Sequence, residues 1–299
     1  MEDIEILSLK FYDHSSYIRG YTKGTIARYK AAINYYIRIA NISQIDQVTG
    51  KNVRDFLLYG RTEKHWKSNS FVTFMMSLRV FFKWCLKEGY LKEDPTLDIE
   101  VPKLEKRLPP KLTKQDALKL LEVVYNYPYD YKFLRFRNHA IFAMFMFAGL
   151  RKSELLHLKC TDVDIENLSI FVSQGKGSKD RVVPMSYTLA QTLKRYALDR
   201  KRLNKTCPEF FTSLNRNSGY TNSGLKRLVI QMRDASRLKF TIHKLRHTFA
   251  TLMLEGGVDI YSLSKMMGHS DIKTTTIYLS ASADHLRSQM TKHPLNDLM

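Results

Sequence analysis

Cysteine is scarce in this 299-residue chain: Cys85, Cys160 and Cys207 stand far apart and form no C-x-x-C pair. That spacing argues against a disulfide scaffold and fits a reducing cytoplasm. Long apolar runs are missing too. The longest, AIFAMFMFAGL (140–150), falls short of the roughly 18 residues a membrane span requires and has the length of a buried core helix. The N-terminus, MEDIEILSLKF, is acidic and has no apolar signal core, so export is not expected. Proline is rare, with eight residues, and half of them crowd between 95 and 110. The most consequential shortage is of negative charge, with 29 Asp and Glu against 48 Lys and Arg, a net of +19.

That deficit is localised. Residues 1–100 carry 15 Lys and Arg against 12 Asp and Glu, whereas residues 101–299 carry 33 against 17, a net of +16. Such an excess repels itself unless a polyanion offsets it, and nucleic acid is the usual one. The hydrophobic content of 44% and aromatic content of 12% belong to a globular chain, and the length suits two domains.

Pro95, Pro102, Pro109 and Pro110 forbid a continuous helix in EDPTLDIEVPKLEKRLPPKLT, which also carries Lys103, Lys106, Arg107 and Lys111. We read 99–112 as an extended basic linker whose four cations are candidate DNA contacts, between a helical domain at 1–98 and a mixed domain at 113–299. Three helical patterns precede it. TKGTIARYKAAINYYIRIA puts Ile26, Tyr29, Ile33, Tyr36, Ile37 and Ala40 on one stripe. TGKNVRDFLLYG starts at Thr49 and should stop at Gly60. SFVTFMMSLRVFFKWCLKEGY should stop near Gly89, and its aromatic stripe reads as core. After the linker come a helix capped by Thr113, a buried helix closed by Gly149, and a third with Ser153 as its N-cap. The period then changes: NLSIFVSQ and RVVPM flank GKGSKD and predict a hairpin. Helices resume to the end. The fold class expected is mainly α with a small antiparallel β-sheet.

TIHKLRHTFATLML (241–254) sets His243, Arg246 and His247 on one helical face. The two histidines imitate half of a zinc site, but position 244 is lysine, which supplies no base and would repel a dication. A phosphate-binding cluster explains the residue types better. Arginine offers a planar fork of permanent charge, histidine can donate to an oxygen or move a proton, and lysine can protonate a leaving oxygen. Other candidates for that cluster are Arg151 at a helix entrance, Lys176 on the hairpin, and His269 between Gly268 and Ser270, the next expected N-cap. His247 reads as a buried hydrogen-bonding histidine, Glu154 as a support for the new helix or for a catalytic side chain.

AGLRKSELL, GKGSKDRVVP, HKLRHTFATLML and MMGHSDIKTTTIYL, in that order, resemble the motifs of the tyrosine recombinases, the integrase and Xer family. The resemblance implies a two-domain DNA clamp, with a helical core-binding domain ahead of the catalytic one. It implies a catalytic set of Arg151, Lys176, His243, Arg246, His269 and the nucleophile Tyr278, with Glu154 and His247 in support. Tyr261, ahead of the G-H turn, reads instead as helix packing. Tyr278 would attack a phosphodiester of duplex DNA, leaving a 3′-phosphotyrosyl ester and a free 5′ hydroxyl protonated by Lys176. Neither ATP nor a nicotinamide is implied, because the ester retains the bond energy, and no metal is, because the cationic side chains would activate the phenol. Family members act as tetramers on two DNA sites, and ADHLRSQM (283–290) would be the tail helix, with Ala283, Leu286 and Met290 packing on a neighbour or on its own domain. The start close to the first helices matches the compact Xer type, and an accessory protein is compatible with it. The competing readings are a type IB topoisomerase-like enzyme, a non-catalytic DNA-binding accessory protein and a metal-dependent nuclease.

Overall fold

Six helices begin where a Ser or Thr hydroxyl accepts the backbone N–H three residues on: Thr22, Thr49, Thr113, Ser186, Thr221 and Thr241. The computed structural model describes residues 2–102, 110–173, 180–269 and 271–279. It divides into two units, Met1–Lys106 and Arg107–Met299.

The first unit consists of α1 (Ile4–Asp13), α2 (Lys23–Ala40), α3 (Gly50–Thr62) and α4 (Ser68–Lys87). Leu7, Phe11, Ile33, Tyr36, Phe56 and Phe81 meet in its core. Helix α1 was not anticipated, because Ile6 and Leu9 remain exposed beside the buried Ile4 and Leu7 and blur its period. Gly60 does not end α3, which continues to Thr62. A Cβ at Gly60 would come within 2.2 Å of the Trp66 ring, so the glycine makes room for the indole. That ring stacks on Phe74 at 4.0 Å between centroids.

The second unit runs α5 (Lys114–Asn126), α6 (Lys132–Ala143), α7 (Lys152–His157), β1 (Val163–Asp164), β2 (Ser169–Val172) and β3 (Arg181–Pro184). It continues with α8 (Tyr187–Arg202), α9 (Asn222–Ser236), α10 (Ile242–Glu255), α11 (Ile260–Met267) and α12 (Lys273–Thr276). The strands form one antiparallel sheet in the order β1-β2-β3, with Ile170 opposite both Val163 and Val183. The expected hairpin is β2–β3. The two-residue β1 is too short for an alternating pattern to reveal.

Helix α6 is buried along nearly its whole length and ends in a wider turn, Met144–Ala148, closed by Gly149 at φ +60°. A Cβ at Gly149 would lie 2.2 Å from the Phe249 ring, so α10 packs directly on this turn. Ser153 is not the N-cap of α7. Arg151 is, because the Glu154 carboxylate accepts the Arg151 backbone N–H and starts the helix two residues earlier. Phe249, Leu254, Leu263, Met267 and Tyr278 form a separate small core beneath α10 and α11. No helix among the described residues is long and apolar enough to cross a membrane.

Candidate active site

Two helix C-termini, with their unpaired carbonyls, organise the site. The Arg246 guanidinium, 6% exposed, donates through Nη1 to Gly149 O at the end of the α6 turn and through Nη2 to Met267 O at the end of α11, at 2.5 Å. Arg151 donates through Nη2 to Gly268 O at 2.7 Å. A third of the Arg151 side chain stays exposed. Both guanidiniums are therefore anchored on backbone carbonyls. Burial, then the neighbouring Arg151 charge, brings Arg246 down to about 10, which leaves it cationic at neutral pH.

Glu154 joins these cations. Its Oε1 accepts from Arg151 Nη1 at 2.7 Å and Arg181 Nη1 at 2.9 Å. Its Oε2 accepts from the Arg151 backbone N–H at 2.7 Å and Arg181 Nη2 at 2.8 Å, with Arg246 Nη1 at 3.9 Å. Burial alone would raise this carboxyl, but the hydrogen bonds from Arg181 and Arg151 override it and hold Glu154 at about 2.

His269 follows the left-handed turn at Gly268. Its Nε2 lies 3.3 Å from Arg246 Nη2, and its Nδ1 lies 2.7 Å from Thr275 Oγ1. A guanidinium only donates, so Nε2 accepts and Nδ1 carries the proton that goes to Thr275. Burial, reinforced by Arg246, Arg151 and Arg181, lowers His269 to about 4, so the ring is neutral at pH 7.

Tyr278 is 2% exposed, packed in the small core with its hydroxyl 2.7 Å from His247 Nδ1. Burial raises its pKa and Arg246 pulls it back, while burial keeps His247 below the ordinary histidine value. Arg151, Arg246 and His269 thus converge, with Glu154 beneath them. Tyr278 stands one hydrogen bond away from the residue that follows Arg246. His243 is exposed on the same face of α10, its ring 6.5 Å from that of His247, and makes no side-chain hydrogen bond among the described residues.

Lys176, Lys103, Lys106, Arg107, Ser270 and the tail residues Ala283, Leu286 and Met290 lie outside the described residues. Lys111 pairs with Glu255 at 2.5 Å, so its charge already has a partner. Tyr261 is not a packing residue: it is 60% exposed, with Lys265 Nζ 5.0 Å from its ring centroid.

Arg181 and Thr275 were not singled out from the sequence. Strand alternation held a signal for the first, since Arg181 shares a face with buried Val183, and an inward charge needs a buried counter-charge. The carbonyls of Gly149, Met267 and Gly268 leave no such trace, because a backbone acceptor is independent of the side chain.

The profile described as "Phage integrase family" matches residues 110–285, and "Phage integrase, N-terminal SAM-like domain" matches 7–91. The tyrosine recombinase XerC of Bacillus pumilus (strain SAFR-032) is 33% identical over 296 residues, covering 95% of each chain. The tyrosine recombinase XerA of Thermococcus onnurineus (strain NA1) is 33% identical over 288 residues, 92% of this chain and 91% of that one. Among solved structures, a crystal structure of XerA recombinase matches at 26% identity and TM-score 0.55, covering 97% of this chain and 98% of the other. The Tn1549 transposon integrase in complex with a circular-intermediate DNA has the same fold, at 21% identity and TM-score 0.75 over 98% of this chain and all of that one.

Proposed function

This chain belongs to the phage integrase family and is a site-specific tyrosine recombinase, and we propose that it cuts and rejoins duplex DNA through a phosphotyrosyl ester on Tyr278. The observation that carries the reading is that Arg151 and Arg246 are held on carbonyls of two helix ends with His269 against Arg246, beside a tyrosine held by the neighbouring His247.

In the field of the arginines the Tyr278 phenol gives up its proton to solvent, its oxygen attacks the scissile phosphorus, the bond to the 5′ oxygen breaks, and a 3′-phosphotyrosyl link forms. Lys176 gives the departing 5′ oxygen its proton. Arg151 and Arg246 offset the charge that builds on the equatorial oxygens. Because their guanidiniums are already anchored, little reorganisation accompanies that stabilisation. His269 is neutral at pH 7, with its Nδ1–H on Thr275 and its Nε2 accepting from Arg246, so it orients that guanidinium and the fixed charge comes from the arginines. A 5′ hydroxyl of another duplex then displaces the tyrosine. The ester keeps the bond energy, so no ATP is spent, and the fixed charge of the arginines does the work a metal would do. The hydroxyl of Tyr278 must first leave His247, which makes release of the segment after α11 a step of the reaction.

The charge excess of residues 101–299 supports DNA as the partner, with the linker cations Lys103, Lys106 and Arg107 as candidates for its phosphates. Each chain has one nucleophile, and a complete exchange between two duplexes breaks four strands, so four copies act together, in the cytoplasm where the DNA lies. DNA relaxation of the topoisomerase type is disfavoured by the H-x-x-R and G-H motifs.

Incubation with duplexes nicked near the cleavage position, read on denaturing gels, tests the reading. The native chain should form a covalent adduct insensitive to chelator, and Tyr278→Phe none. An adduct that persists in Tyr278→Phe, or that vanishes with chelator, refutes it.

A further inference from the structure

Arg181 is 7% exposed by its side chain and opens β3, the strand that follows the glycine-bearing connection of the hairpin. Its Nε donates to Met266 O at 2.7 Å, and its two terminal nitrogens donate to both oxygens of Glu154 at 2.9 and 2.8 Å. One guanidinium therefore ties three segments together: a strand, the first turn of α7, and the last turn of α11, which leads into Gly268 and His269. A planar fork can do this and a lysine ammonium cannot.

The electrostatics give the tie a purpose. Arg151, Arg181 and Arg246 with Glu154 make three cations and one anion, a net of +2. Without Arg181 the net falls to +1, and the buried carboxylate keeps Arg151 as its hydrogen-bonded partner, with Arg246 farther off at 3.9 Å. Arg151 and Glu154 would then approach a neutral pair, and a phosphate arriving at Arg151 would meet a carboxylate no longer saturated by another cation.

We propose that Arg181 is a positioning residue for DNA cleavage: it saturates Glu154, so that the carboxylate orients Arg151 without cancelling the charge a phosphate needs, and it fixes the α11 turn carrying His269. The proposal rests on the phosphotyrosyl reading above.

The full-length chain and the nicked duplex supply the test. The native protein must form the adduct; if it does not, the functional reading fails, whatever Arg181 does. Given that adduct, Arg181→Gln should bind the duplex within about twofold of native and form adduct at least about 100-fold more slowly, a loss confined to the chemical step. Adding Glu154→Gln to Arg181→Gln restores the net of +2 and should speed adduct formation at least about tenfold over the single variant. A purely structural brace would not be rescued by removing a second member of the network. Should Arg181→Gln not fold, Arg181→Lys keeps the charge and loses the fork, and should react about tenfold more slowly at unchanged binding. Native rates in Arg181→Gln or Arg181→Lys, or a double variant no faster than Arg181→Gln, overturn the proposal.

Discussion

Replacing Glu154 by glutamine removes the one anion among three guanidiniums and leaves the rest of the site nearly isosteric. The Glu154 side chain is 6% exposed and that of Arg181 7%. Its carboxyl is held at about 2 against an ordinary 4.5, which corresponds to roughly 3 kcal/mol of folding stability at neutral pH. Since the folded value is depressed, that stability is fully present above pH 4.5 and drains away as the pH falls toward 2. Glu154→Gln also strands Arg181 and Arg246 as buried cations, so the loss at pH 7 should reach about 3–5 kcal/mol. For a unit of this size that lowers Tm by on the order of 10 °C. Denaturant unfolding followed by circular dichroism, with native and variant compared from pH 7 downward, reads the difference. The gap should be constant to about pH 4.5 and then narrow by about 1.4 kcal/mol per pH unit, as the native carboxyl takes up its proton. Both tryptophans, Trp66 and Trp84, lie in the first unit, so their fluorescence is an internal control that should not change. A gap that stays constant below pH 4.5 would refute the reasoning, since it would mean that the lost stability is not that of an ionised carboxylate.

Gly149→Ala meets both a positive φ and the Phe249 ring, and should destabilise the second unit by roughly 2–4 kcal/mol in a thermal melt, while dislodging the carbonyl that holds Arg246. Gly60→Ala should shift tryptophan emission and weaken the first unit, because the new methyl collides with Trp66; an unchanged spectrum and melt would remove the packing role given to this glycine. The affinity for duplex DNA should fall linearly on a logarithmic salt scale, with a slope of roughly −0.9 per phosphate neutralised, and salt-independent binding would contradict a phosphate-led interface.

Much of the fold is legible in the residues. The cap threonines, the stripe of α2 and the aromatic face of α4 are signals spanning one or two turns, and each element formed where its signal stands. The misreadings have physical causes. Gly60 passes for a helix stop when only backbone propensity is considered, yet Trp66 needs its empty side. Ser153 is a good cap by type, but the Glu154 carboxylate sets the start of α7 at Arg151. Tyr261 lies in α11, whose buried side is made by Leu263, Ser264 and Met267, and itself faces solvent.

What the sequence by itself determined is local and chemical: which segments become helix or hairpin, where positive charge accumulates, and which side chains are fit to bind phosphate or attack it. What only the tertiary structure decided is how those groups hold one another. Arg181 reaches Glu154 across 27 residues, Tyr278 reaches His247 across 31, and Arg246 finds the Gly149 carbonyl 97 residues away. Helical and strand periods extend over a few residues, so no pattern encodes such pairs. Only packing α6, α10 and α11 together, and burying groups that must then find partners, brings them within bonding distance.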